Sequence, residues 1–131
     1  MSIVLADSCV WIEALKDDLS EEAIQLEHLI DTSRVVITGL IITEVLQGIR
    51  DAGIFREVSE KLTALPSIEL HKNAYITAAK LSIELRAKGL AIPLSDLLIA
   101  SLCKEHDVQI YTLDRHFESI PGIKQWNPRK N

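Results

Sequence analysis

The chain has 131 residues, 47% of them hydrophobic and 25% charged, which suits one domain over residues 1–131 with one substantial core. A formal net charge of -5 and a pI near 5.3 argue against a protein that holds nucleic acid by bulk positive charge. They leave nucleic acid open as a substrate, because carboxylates gathered around a divalent cation raise the negative count and are cancelled where the cation binds.

In chain order, Ile3 to Ala6 reads as a short buried parallel strand with Asp7 at its end, and Ser8 is a candidate cap for a helix to about Leu15. Lys16 to Leu19 is a polar loop. Ser20 followed by Glu21 and Glu22 opens a second helix, with Ala23, Leu26, Leu29 and Ile30 on one face. Arg34 to Ile37 is the second strand. Thr38 can cap the next helix, which carries Leu40, Ile41, Ile42, Val45, Leu46 and Ile49 around a single acid, Glu44. That apolar surplus, like Val10, Trp11, Ile12 and Leu15 in the first helix, suits either burial on several sides or a surface for a dimer or a partner protein. Gly48 and Gly53 bracket a break, Ile54, Val58, Leu62 and Leu65 mark a further helix, and Pro66 stops it.

Ile68 to Leu70 is a weak third strand, and Asn73 to Lys88 is a helix that ends at Gly89. Pro93 and Ser95 then mark the start of a helix that places Asp96 in its first turn and ends near His106. Val108 to Thr112 is β-branched and aromatic and reads as a strand, with Asp114 just past its end. Pro121-Gly122 is a turn before a short edge strand near Ile123 to Trp126, and residues 127–131 form a frayed tail. The longest apolar run, Val35 to Ile42, is far short of the roughly 20 residues that span a bilayer, so no membrane partner is expected. The N-terminus lacks a positive segment and a long apolar stretch, so a cytoplasmic location is expected, with Cys9 and Cys103 as free thiols.

The alternation of strands and helices predicts an α/β fold, a three-layer α/β/α sandwich with a central, mostly parallel sheet. Ligands in such sheets sit outside the carboxyl ends of the strands. Asp7 and Asp114 fall there directly, Asp96 through its helix N-terminus, and Glu44 from about two turns into its helix. Singly, each acid has an ordinary explanation as a turn, a helix-dipole partner or a solvated helix position. Jointly they point to a cation, since Asp7 and Glu44 lie in apolar surroundings where an unpaired carboxylate is costly. Oxygen ligands without His or Cys favour Mg²⁺ or Mn²⁺ over zinc.

Other chemistries fit less well. The glycines form no phosphate loop, and His28, His71, His106 and His116 show no paired ligand spacing. Cys9 reads as a small core residue rather than a nucleophile, and Trp11, Trp126, Tyr111 and Phe117 as packing residues. Arg115 and His116 either contact a phosphate or lie in a solvated loop. A non-catalytic interaction module, binding a basic partner through its acids, is the alternative from another class. A phospho-acceptor domain with Asp7 as nucleophile is disfavoured by Cys9, where such a pattern places a second Asp.

Four segments carry a family resemblance: Leu5-Ala6-Asp7-Ser8, Thr43-Glu44 within Ile-Ile-Thr-Glu-Val-Leu-Gln-Gly-Ile, Leu94-Ser95-Asp96-Leu97-Leu98-Ile99-Ala100, and Thr112-Leu113-Asp114-Arg115-His116-Phe117. Their combination and order, over Ile3 to Phe117, resemble PIN-domain ribonucleases, in particular VapC-type toxins of toxin–antitoxin pairs. The resemblance implies a metal-dependent endoribonuclease, usually a homodimer, that cuts an RNA substrate and is silenced by a cognate antitoxin. It also implies that Asp7, Glu44, Asp96 and Asp114 are the acidic quartet around one or two Mg²⁺ or Mn²⁺ ions. Thr112 would be a supporting hydroxyl, and Ser8 and Arg115 supporting or substrate-binding residues. Ser95 stands where asparagine or another small polar residue is more usual.

Overall fold

A computed structural model describes residues 2–130. Its centre is β1 (Val4–Ala6), which is fully buried and lies between β2 (Val35–Val36) and β3 (Gln109–Tyr111). Both pairings are parallel, with Leu5 opposite Val36 on one side and Ile110 on the other. An apolar run without alternation is what a strand covered on both faces requires, and Val-Leu-Ala supplies it. Burying a side chain the size of Leu5 contributes about 1.5–3 kcal/mol, so the strand that ends at Asp7 is among the best anchored parts of the chain.

Helices cover the sheet: α1 (Ser8–Lys16), α2 (Glu21–Asp31), α3 (Gly39–Leu46), α4 (Ala52–Thr63), α5 (Lys72–Ala87) and α6 (Leu94–His106). α1 packs on α2 and α3, α3 on α4, and α5 on α6, giving the expected three-layer α/β/α sandwich. α6 is the most deeply set, with Asp96, Leu97 and every residue from Ile99 to Cys103 buried. Asp107 closes it in the left-handed region at φ 52° while the Val108 N–H donates to the Cys103 carbonyl at 3.0 Å, which turns the chain straight into β3. Gly89 and Gly122, both at φ 80°, stand at the stop after α5 and at the turn before residue 123, where a left-handed backbone favours glycine.

Several expectations at element ends are corrected. The cap of α1 is Asp7, whose Oδ1 accepts the Ser8 N–H at 2.8 Å, and Ser8 is the first helical residue. Thr38 occupies the cap position of α3 without a side-chain hydrogen bond, and α6 starts after Pro93, so Ser95 lies inside its first turn. The expected strands at 68–70 and 123–126 shrink to single parallel bridges, Ile37 with Ser67 and Ile110 with Gln125. Each segment exchanges one pair of hydrogen bonds and then leaves the sheet: Ile37 bonds Pro66 and Ile68, and Ile110 bonds Lys124 and Trp126. Residues 128–130 form a 3₁₀ turn instead of fraying, and Asn131, the end of the expected tail, lies outside the described residues.

The apolar surplus of α1 and α3 is largely absorbed by the core. Val10, Trp11, Ile41 and Val45 are buried, while Ile12, Leu40, Ile42, Leu46 and Ile49 pack against it. Trp126 is buried too and meets the Tyr111 ring edge-on at 5.0 Å, and Phe117 is fully enclosed, as packing residues should be. Among the described residues no helix is long and apolar enough to cross a membrane.

Candidate active site

The carboxyl end of the sheet gathers the four acids. Asp7 leaves β1 and is fastened there by its own N–H, which donates to the Tyr111 carbonyl at the end of β3 at 2.8 Å. Its side chain is 4% exposed. Oδ1 accepts the Ser8 N–H, and Oδ2 accepts the Thr112 hydroxyl at 2.8 Å and lies 3.5 Å from the Cys9 sulfur. Every one of these donors is neutral. They hold the carboxylate in place.

Glu44 reaches the same edge from α3. Its Oε1 is buried with no hydrogen-bond partner among the described residues. Burial pushes its pKa up, and the charges of Asp7 and Asp96 push it further, against a smaller opposing influence from the Ser8 side chain. Asp96, in the first turn of α6 and 8% exposed, is raised first by burial and then by Asp7 and Asp114, with the His116 hydrogen bond pulling it back. Asp96 therefore feels Asp7, Glu44 feels both, and Asp114 joins through Asp96, although 107 positions separate Asp7 from Asp114 in sequence (114 minus 7).

Asp114 caps a 3₁₀ turn, Arg115–Ser119, by accepting the His116 N–H on Oδ1 at 2.9 Å. That turn brings the His116 ring inward. Nδ1 lies 2.7 Å from Asp96 Oδ2 and 3.1 Å from Asp114 Oδ1, and the hydrogen bond to Asp96, more than the nearby charges, raises the pKa of the imidazole. Thr112 joins the two ends of the site, donating to Asp7 and accepting the Asp114 N–H at 3.0 Å.

One expectation changes here. His116, expected as a phosphate contact or a solvated loop residue, lies on the carboxylates instead; the signal is an acid two positions before a histidine, at a spacing that one tight turn closes. Arg115 takes the solvated-loop alternative in the free chain, pairing loosely with Glu118 at 3.6 Å with its side chain 89% exposed. Cys9 borders the site, partly buried, with the Leu113 N–H on its sulfur at 3.4 Å. Burial and the Asp7 charge raise its pKa, so it is kept as a thiol and not as a nucleophilic thiolate. Cys103, free and pushed up to about 12 by burial, is inert.

Chemically, the arrangement fits a divalent cation. One ligand atom each from Asp96, Asp114 and His116 lie within 4.8 Å of one another. Among the described residues Asp7 and Glu44 are not part of that close group; the orphaned Glu44 oxygen, under the charges of Asp7 and Asp96, is nevertheless the kind of buried group that a cation satisfies.

A family model described as "PIN domain" matches residues 4–123. No curated protein sequence matches the chain at a significant level. Among solved structures, the VapBC2 complex of Rickettsia felis bound to a DNA fragment from its promoter contains a chain with a TM-score of 0.80 and 22% identity, covering 95% of this chain and 98% of that one. The DNA-bound VapBC of Salmonella typhimurium matches with a TM-score of 0.77 and 24% identity, over 96% of this chain and 98% of that one. VapC20 of Mycobacterium tuberculosis, described as a sarcin-ricin loop cleaving toxin, matches with a TM-score of 0.68 and 13% identity, over 95% and 99%. These likenesses establish a shared fold.

Proposed function

Because this chain belongs to the PIN domain family, we propose that it is a metal-dependent endoribonuclease, the VapC-type toxin of a toxin–antitoxin pair, built as a single domain and working in the cytoplasm. The observation that carries the proposal is the Glu44 Oε1 atom, buried without a partner among carboxylates that raise its pKa. Such a group makes the folded chain costlier unless a cation completes it. The fold shared with VapC20, a toxin described as cleaving the sarcin-ricin loop, supports RNA as the substrate class. The VapBC relatives support a cognate antitoxin as partner.

In this reading Asp7 and Asp96 hold Mg²⁺ or Mn²⁺ directly, and Glu44 and Asp114 hold it directly or through water. A bound ion would lower the pKa of a water for attack on the phosphodiester and offset the negative charge gathering on the phosphate oxygens. The protein's own part is positioning. The Ser8 N–H and the Thr112 hydroxyl orient the two oxygens of Asp7. The rigid start of α6 fixes Asp96, and a fully enclosed Phe117 anchors the turn that carries Asp114. Arg115, exposed and only loosely paired with Glu118, exchanges that partner for a phosphate of the RNA. A homodimer is part of the proposal, supported by the exposed Tyr75, Ile76 and Ile83 of α5 and Leu94 of α6; a monomer in sedimentation at micromolar concentration would remove it.

A docking face for a basic partner is the weaker reading, since such a face works with solvated acids and Asp7 and Asp96 are buried. Two measurements separate them. Mn²⁺ should raise the melting temperature if the acids form a cation site and should do little at a docking face. RNA cleavage should require Mg²⁺ or Mn²⁺ and be lost in Asp7→Asn and Asp96→Asn; cutting that survives EDTA, or unimpaired variants, would refute the nuclease.

A further inference from the structure

The acids do not form one uniform pocket. Asp96 interacts with two sets of groups: it shares charge repulsion with Asp7 and Glu44, which offer only oxygen, and among the described residues it brings a ligand atom within 4.8 Å of Asp114 and His116, which offer oxygen and an imidazole nitrogen. His116 is not a passing neighbour. Its backbone is tied to Asp114 Oδ1 at 2.9 Å, and the next residue, Phe117, is 1% exposed, so the ring is delivered by a fastened turn. Its Nδ1 lies 2.7 Å from one carboxylate and 3.1 Å from the other. Neighbouring ligand atoms around a six-coordinate ion with bonds of about 2.1 Å sit roughly 3 Å apart, so the two spacings from the imidazole suit a shared ion, and the two carboxylates lie within 4.8 Å of each other.

Deepening the nuclease proposal and resting on its metal site, we propose that His116 Nδ1, Asp96 and Asp114 form a mixed nitrogen–oxygen cation position. It takes Mn²⁺ or a related transition ion in preference to Mg²⁺, beside the all-oxygen position of Asp7, Glu44 and Asp96. The preference follows from the ligands. Imidazole suits transition ions, whereas Mg²⁺ favours carboxylate and water and gives up its hydration reluctantly. The competing account is that His116 only pairs with two acids and never meets a metal.

The test uses the full metal-free chain with Mn²⁺ or Mg²⁺ alone and needs no RNA. Pulsed electron paramagnetic resonance on the Mn²⁺-loaded protein should register the ¹⁴N coupling of one imidazole. Labelling histidine with ¹⁵N should convert that signal to ¹⁵N coupling with the native fold untouched. In His116→Gln the nitrogen signal should vanish, Mn²⁺ should bind at least ~10-fold more weakly by calorimetry, and Mg²⁺ affinity should change less than about 2-fold. Mn²⁺ bound in the unsubstituted protein without nitrogen coupling would overturn the mixed position and leave the nuclease proposal standing. An equal loss of Mg²⁺ and Mn²⁺ affinity in His116→Gln would overturn the preference. A chain that binds no Mn²⁺ at all would take the nuclease proposal down with it, so the failures are distinguishable.

Discussion

Near Asp96, Glu44 carries a buried carboxylate oxygen with no partner among the described residues, and burial, then the charges of Asp7 and Asp96, push its proton affinity up. By contrast, Asp114 shares the His116 imidazole with Asp96, so the same kind of crowding already has a counterweight. The protein balances one half of its acid cluster and leaves the other open. Where charge stays uncompensated in a fold that is otherwise well packed, the missing compensation is the clue to what the site takes up.

Asp96 belongs to both halves, so removing its charge should do the most. Asp96→Asn should slow Mg²⁺-dependent RNA cleavage by at least ~100-fold, read from initial rates on a labelled RNA. A rate near that of the unsubstituted chain would mean that neither half holds the ion of the reaction. Thr112→Val should cost about tenfold in kcat, because Asp7 Oδ2 loses one neutral hydrogen bond but keeps its place at the end of β1. A loss as deep as that of Asp96→Asn would mean that the hydroxyl does more than position Asp7.

Smaller effects should appear in stability and should separate the two halves. Glu44→Gln removes the uncompensated charge, so the melting temperature of the metal-free chain should rise, on the order of 2 °C. The rise produced by Mn²⁺ should shrink in the same variant. A lower melting temperature without metal would show that Glu44 is not strained by its neighbours. Acidity offers the mildest version of that test. Glu44 and Asp96 have folded-state pKa values above their ordinary ones, so the folded chain keeps their protons more tightly than the unfolded chain does. Their favourable share is full below the unfolded value and is lost as pH rises through the folded one, and the raised His116 acts with the same sign. Metal-free melting temperature should therefore climb modestly as pH falls from 7 towards about 5. Saturating Mn²⁺ should flatten or reverse the slope; a steady fall without metal would contradict it.

Much of this was legible before any coordinates. Runs such as Val4-Leu5-Ala6, the apolar period of α4 and the stop at Gly89 placed elements within a residue or two, because burial and glycine conformation act locally. The strand ends and the start of α6 likewise put Asp7, Asp96 and Asp114 on one edge of a parallel sheet. The segments at 68–70 and 123–126 misled, since whether an extended run continues a ladder depends on how long its neighbour stays alongside. Ser8 misled on a finer scale, since Asp7 caps α1, while Thr38 stands at its expected cap position without a side-chain hydrogen bond; the cap of a helix is set by where the preceding chain enters it.

Local chemistry thus decided which segments are helices and strands and which carboxylates reach the sheet's end, since periodicity, capping and strand polarity are properties of short stretches. Only the folded chain decided that His116 serves the acids while Arg115 faces solvent, and that Thr112 braces Asp7. Those outcomes depend on the five-residue 3₁₀ turn Arg115–Ser119 and on contacts between residues 20 and 105 positions apart. Neither leaves a period in the sequence to be read.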